Sequence, residues 1–234
     1  MRVAIVTVGE ELLTGDTVNT NATWLCERLT DRGVTVERIT TLPDRIADIA
    51  RVVNEYRAEY DAVIVTGGVG PTHDDVTMDG VAAAFGRDLI HSEEAHQWLI
   101  AEGGYAAEDL LEGTAHIPDG ATPLHNSEGV APGAAIDSVY VLPGVPTEMK
   151  AMFEQIADEF EGQRRYSEML RVENPESELI PLFETLRNRF DVSVGSYPGE
   201  NVRVKLSSTD REAVRSAARW LQEYVTLVED PGDE

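Results

Sequence analysis

Residues 61–77 read Asp-Ala-Val-Ile-Val-Thr-Gly-Gly-Val-Gly-Pro-Thr-His-Asp-Asp-Val-Thr. The apolar run from Ala62 to Val65 has the length of a buried strand. It is followed by three glycines within four residues (Gly67, Gly68, Gly70), then Pro71 and the paired carboxylates Asp74 and Asp75. Glycine admits positive φ and close approach of a ligand to the backbone. A glycine turn between a strand and a helix can present several N–H groups to one anion. Two carboxylates beside a phosphate would repel it, and a cation between them reconciles the two. The stretch therefore points to a phosphate-bearing ligand on backbone amides, with a divalent metal on Asp74 and Asp75. The plainer reading is an ordinary strand-to-helix turn with Asp74 as a helix cap. That reading does not need three glycines, a proline and two consecutive acids together. The spacing matches neither a Walker loop nor a dinucleotide fingerprint.

Upstream, Val3 to Val8 reads as a buried, β-branched strand. Gly9 to Asp16 reads as a loop with acids inside it, and Glu10, next to Gly9 at the strand end, is the better-placed acid. Asn19-Thr20-Asn21 opens a helix that carries Trp24, Leu25, Arg28 and Leu29 at helical spacing, with Gly33 ending it. A strand over residues 34–41 and a helix from Pro43 to about Ala58 complete a strand–helix–strand–helix–strand order. That order predicts an α/β fold with a mostly parallel sheet between two helical layers. Right-handed crossovers bring the ends of the first and third strands together. Ligands in such sheets sit beyond the carboxyl ends of strands, so the loops at 9–15 and 67–72 are expected to share one crevice.

Downstream, a helix is expected over 76–85, and an acidic, peripheral helical region over 92–112, broken at Gly103-Gly104. Next come a loop through Asn126 and Gly133, a strand over 139–142 and a helix from Pro146, which suits a first turn. Glu148 in that turn has two readings: a capped helix start, or another metal or water ligand at the crevice. Lys150 could supply positive charge there, or simply lie on the surface. His73 is adjacent to the aspartates, but a lone histidine is a weak catalytic signal. After about residue 163 the chain changes character. A strand over 166–172, a helix over 175–190, a strand pair around Pro198-Gly199 and a helix from Asp210 to about Tyr224 make a small β-α-β-β-α module. Residues 231–234 are expected to fray.

The chain holds 43 acids against 19 bases, a net charge of −24, and its only lysines are Lys150 and Lys205. This excludes a basic nucleic-acid footprint. Dispersed acids with almost no lysine point to high intracellular salt, where self-repulsion is screened, and so to a halophilic archaeal source. Protein fully folded at low salt without divalent ions would contradict that. No apolar run approaches the ~18 residues of a membrane span, and no signal-peptide pattern opens the chain. The expected location is cytoplasmic, with no membrane partner. The single cysteine, Cys26, excludes an intrachain disulfide and a cysteine zinc cluster; its apolar helical setting suits a core or near-surface thiol better than a nucleophile.

Five stretches carry a family resemblance: Gly9-Glu-Glu-Leu-Leu-Thr-Gly15, Asn19-Thr-Asn21, Thr66 to Thr77, Asn126 to Gly133 and Leu142 to Lys150. In this order they resemble the N-terminal part of the CinA (competence/damage-inducible) family, a molybdopterin-binding-type domain also related to the N-terminal domain of eukaryotic FAD synthases. Gly195-Ser-Tyr-Pro198 and Val202-Arg-Val-Lys-Leu206 resemble the small domain that follows it. The resemblance implies a three-layer domain over 1–163 and a small α+β domain over 164–230. It also implies metal-dependent pyrophosphate hydrolysis of ADP-ribose or a related dinucleotide such as FAD. Molybdopterin binding without hydrolysis is the alternative. The nicotinamide-mononucleotide deamidase domain usual in bacterial members is not expected, because the sequence stops before it.

The expected roles follow. Asp74 and Asp75 would hold magnesium, manganese or cobalt, and with Glu148 would make up the catalytic set. Gly9, Glu10, Asn21, Thr66, Gly67, Gly68, Gly70, Thr72, Thr77, Gly144 and Lys150 would bind the nucleotide or pterin. A homo-oligomer, dimer or trimer, is implied by resemblance alone.

Overall fold

The computed structural model describes residues 1–228 except 107, 109 and 112, so the expected fraying of 231–234 lies outside the described residues. The chain forms two compact units, the first spanning Met1–Gly162 and the second beginning at Gln163.

The first unit is built on a six-stranded sheet in the order β2-β1-β3-β8-β7-β6. Here β1 is Arg2–Val8, β2 Thr35–Leu42, β3 Ala62–Thr66, β6 Thr122–Leu124, β7 Gly133–Ile136 and β8 Val139–Leu142. The first three and β8 run parallel, and β7 and β6 turn back antiparallel at one edge. Side chains alternate between the two faces of a strand, which explains the unbroken apolar runs of β1 and β3. Ala4, Val6, Val63 and Val65 enter one core with Ile49, Val52 and Val81; Val3, Ile5, Ala62 and Ile64 enter the other with Leu25, Leu29, Met152 and Phe153. Both faces are therefore covered, as parallel sheets require.

The first of these cores is closed by α3 (Ile46–Glu59) and α4 (Thr77–Phe85), the second by α2 (Thr20–Asp31) and α6 (Pro146–Ile156). Helices α3 and α4 touch at Gly80, where an added Cβ would lie 2.5 Å from Ile49 Cγ2 and 2.6 Å from its Cβ. Alanine normally favours a helix over glycine by ~1 kcal/mol. Here Ile49 is fully buried and its branched Cβ cannot swing away. Gly80→Ala is expected to cost about 1–3 kcal/mol, read as a lower urea midpoint in high-salt buffer.

Two expectations need correction. Residues 9–16 are not an open loop: Glu10–Thr14 form a helical turn, α1, ended by Gly15 at φ 83°. The loop expected from Asn126 is present, running between β6 and β7. At the periphery, β4 (Leu89–His91) and β5 (His116–Pro118) form a separate two-stranded sheet, with α5 over Glu93–Ala101. The helix expected over 92–112 is thus shorter, and positions 107, 109 and 112 of it lie outside the described residues.

The second unit is a three-stranded antiparallel sheet in the order β10-β11-β9, from β9 (Tyr166–Val172), β10 (Ser193–Tyr197) and β11 (Val202–Ser208). Val202, Val204 and Leu206 point to one buried face, and α7 (Glu176–Arg189) and α8 (Arg211–Gln222) pack there. Val214, Ala217, Ala218 and Leu221 recur at 3–4-residue spacing on α8, and the Asp210 side chain accepts from Glu212 N–H at 2.8 Å to cap it. No described helix is long and apolar enough to cross a membrane.

Candidate functional site

The carboxyl ends of β1, β2 and β3 open into one crevice of about 280 Å³. From β1 come Thr7, Val8 and Gly9; Asp44 follows β2; Thr66, Gly67 and Gly68 leave β3. The first turn of α2 (Asn19 as cap, Thr20, Asn21) and Gly144 before α6 complete it. Strand β1 lies between β2 and β3, so the chain reverses direction of winding here, which is where such sheets bind ligands.

Backbone geometry makes the glycines obligatory. Gly67 has φ 103° and a Cβ there would overlap the Val8 carbonyl oxygen. Gly68 has φ 60° and its Cβ would lie 2.6 Å from Thr77 Oγ1. Gly67 N–H donates to Leu142 O at 3.2 Å, extending the β3–β8 pairing. It therefore cannot also hold a phosphate, which corrects that expected role. No hydrogen bond is found for the N–H of Gly68 or Gly70 among the described residues. Past the glycines, Asp75 folds the loop on itself, accepting from Thr72 N–H at 3.0 Å and from the Thr72 hydroxyl.

A second network fixes Asn21. Its Nδ2 donates to Gly144 O at 2.7 Å and to Thr66 Oγ1 at 3.4 Å, while the Thr66 hydroxyl donates to Pro143 O at 2.6 Å. Gly144 O can only accept, so this assigns Nδ2 and leaves Oδ1. Asn21 Oδ1 is shielded from solvent and has no partner among the described residues, and the same holds for Thr77 Oγ1. Buried acceptors are normally paired; Asn21 Oδ1 is an unfilled acceptor in a residue that lines the crevice. Thr66, its hydrogen committed to Pro143, positions Asn21.

Charge in the crevice has one sign. Glu11, Asp44, Asp74 and Asp75 line it, and none of the lining residues is a lysine, arginine or histidine. Burial pushes the Asp44 carboxyl above its usual value near 3.8, opposed by the Glu10 N–H that donates to it at 2.9 Å. Asp74 lies below the usual carboxylate range, chiefly through the nearby Thr72 hydroxyl. Since the native state binds the Asp44 proton more tightly than the unfolded chain, ionising it costs stability as pH rises from its unfolded value through its raised native one. Above that window the cost persists. Asp44→Asn keeps the acceptor for Glu10 N–H, so it is expected to raise the melting temperature at pH 7 in chelator and to lose that advantage near pH 3.

The other expected site residues divide. Gly9, Asn21, Thr66, Gly67, Gly68, Asp74, Asp75 and Gly144 line the crevice together. Gly70 and Thr72 share an adjoining hollow with Asp75, and Thr77 is buried under Gly68. Glu148 shares a third hollow with Gly68, Gly70 and Asp75, and accepts from the buried Asn126 Nδ2 at 2.7 Å. That bond ties α6 to the loop before β7. Two expectations are corrected. Glu11, not Glu10, is the lining acid of α1; Glu10 gives its backbone N–H to Asp44. Lys150 lines none of these hollows; its Nζ lies 5.7 Å from the Trp24 ring centroid. His73 is exposed, and burial pushes the Cys26 thiol up, away from nucleophilic reactivity. Asp44, Glu11, Thr7 and Asn19 were missed. The signal for Asp44 was its place directly after a strand, beside a proline.

The chain is similar to known proteins along nearly its whole length. The model described as "Probable molybdopterin binding domain" matches residues 4–161, and that of "FAD synthase, middle domain" matches 164–228. A protein from Archaeoglobus fulgidus is 39% identical over 227 residues, covering 96% of this chain and 98% of its own length. One from Pyrococcus furiosus is 38% identical over 238 residues, covering 93% and 94%. The crystal structure of CinA, of unknown function, from Thermoplasma acidophilum superposes with a TM-score of 0.63 at 36% identity, over 68% of this chain and 97% of that one. The chain belongs to the molybdopterin-binding-domain family, in the form found in the N-terminal region of CinA, with a segment like the FAD synthase middle domain after it.

Proposed function

We propose that the first unit is a divalent-metal-dependent pyrophosphohydrolase acting on ADP-ribose or a related dinucleotide such as FAD. One observation carries the reading: the free Gly68 N–H, with that of Gly70 in the adjoining hollow, faces a crevice of four carboxylates and no basic side chain. An anionic ligand is repelled by such a site unless a cation accompanies it. Oxygen ligands suit magnesium or manganese, and the donor set fits.

Asp74 and Asp75 hold the cation, Asp74 remaining ionised because its carboxyl is stabilised in that form. When bound, the ion polarises a phosphoryl oxygen and lowers the pKa of a water. The N–H groups of Gly68 and Gly70, with that of Asn21 at the start of α2, face the phosphates, the N–H groups of Thr20 and Ala22 being already bonded. Asn21 Oδ1 accepts from a ligand hydroxyl or amine. Asp44, whose burial favours its protonated form, takes up the proton released at the nucleophile.

A second reading is molybdopterin binding without hydrolysis, served by the same loops; the description of the matched family model supports the binding. The test is AMP release from ADP-ribose and FAD in high-salt buffer with magnesium, manganese or cobalt, and with EDTA. Release that EDTA abolishes supports the hydrolase. No release from folded protein, with pterin fluorescence in the purified sample, moves the assignment to the second reading.

A further inference from the structure

Three of the five histidines gather at the peripheral sheet. The antiparallel pairing of β4 with β5 sets His91 directly opposite His116. Ser92 then caps α5, its Oγ accepting from Ala95 N–H at 3.2 Å. The cap places Glu93 and His96 in the first turn, three residues apart and so neighbours on the helix surface. One ligand atom each from His91, Glu93 and His96 lie within 4.8 Å of one another. Glu93 Oε2 is 3.8 Å from His91 Nε2, and the His91 and His96 rings are 5.1 Å apart at their centroids.

We propose that His91, Glu93 and His96 form a transition-metal site of the zinc class. Metal–ligand distances of ~2.0–2.2 Å put tetrahedral ligands roughly 3.4 Å apart. The present spread needs closing by up to about 1.4 Å, which the exposed His91 and Glu93 and the half-buried His96, on a strand end and a capped helix, can supply by rotation. Two imidazoles with one carboxylate suit zinc, nickel, copper or cobalt, and not the all-oxygen preference of magnesium or calcium. His116 offers a further nitrogen: its ring is 5.7 Å from that of His91, and its Nδ1 is shielded and unpartnered among the described residues. All three histidines line one hollow of about 190 Å³, together with Leu110, Leu111 and Thr114. None of its lining residues lines the crevice itself, and between the two lies the hollow that Thr114 and His116 share with Gly70, Thr72 and Asp75. A metal here would pin β4, α5 and β5 together.

The test is titration of the metal-free chain with Co²⁺, followed by its visible d–d absorption, and with Zn²⁺ by calorimetry. Asp75→Asn serves as background, to suppress binding at the crevice. One equivalent with the intense tetrahedral cobalt spectrum is expected. His91→Gln or His96→Gln should weaken it by more than the ~10–100-fold typical of losing an outer-shell partner. A spectrum of the weak octahedral type, or affinity unchanged in both variants, would overturn the proposal. Should the variants misfold, ethoxyformylation of the intact chain decides: Zn²⁺ must protect His91 and His96 and leave the exposed His73 reactive. Equal labelling with and without zinc overturns it.

Discussion

Asp75→Asn is expected to lower metal-dependent turnover by at least ~10²-fold, while the protein keeps its fold. A loss of that size is about 2.7–4 kcal/mol of transition-state stabilisation, the scale of removing one preorganised electrostatic contact. Asparagine rather than alanine isolates the charge. Asp75 Oδ2 accepts from Thr72 N–H and from the Thr72 hydroxyl, and the amide oxygen of asparagine can keep both bonds. Alanine would release the loop as well, mixing a structural loss with an electrostatic one. The check is kcat and KM against metal concentration, with circular dichroism in the same buffer. Turnover within a few-fold of the parent at saturating metal would remove Asp75 from the metal site.

Gly67→Ala should be the most damaging single-methyl change in the crevice, costing ~3–5 kcal/mol of the roughly 5–15 kcal/mol that holds a domain folded. Two penalties combine. The φ of 103° is a conformation that a side chain strains to adopt, and the new Cβ would overlap the Val8 carbonyl oxygen. That oxygen is backbone at the end of a central strand, so it cannot move aside alone. Gly67 N–H would also be drawn off Leu142 O, weakening the β3–β8 pairing. Urea denaturation should show a much lower midpoint with an unchanged slope. A midpoint within the error of the parent would mean that the turn relaxes freely and that its glycines are not required by the fold.

The central strands could be read from sequence because both their faces are buried, so β1 and β3 are simple apolar runs. The helix α8 was equally plain, since Val214, Ala217 and Leu221 repeat at its period. Strands β6 and β7 were not. They are three and four residues long, and Pro123 argues against a strand anywhere but at an edge, which is where β6 lies. In the site, the aspartates after the glycine turn announced themselves by composition. Asp44 did not, because its place in the crevice depends on β2 pairing with β1 across a long gap in sequence. Lys150 was misplaced for a geometric reason: residues two apart on a helix do not share a face, so Glu148 at the hollow sends Lys150 elsewhere. The glycine amides were expected to face an anion together, but which of them is already bonded was beyond reach. Only the β3–β8 register shows that Gly67 has already given its hydrogen bond away, while Gly68 and Gly70 have not.

Equilibrium binding of a non-hydrolysable nucleotide, α,β-methylene ADP, tests the central claim most directly. It is to be measured in high-salt buffer with manganese and again with EDTA. An all-acid crevice that takes phosphate through a cation predicts binding at least ~10²-fold tighter with manganese, a difference of about 2.7 kcal/mol, and its loss in Asp75→Asn. Equal affinity with and without metal would contradict the account, because the free amides alone would then be holding the anion against four carboxylates.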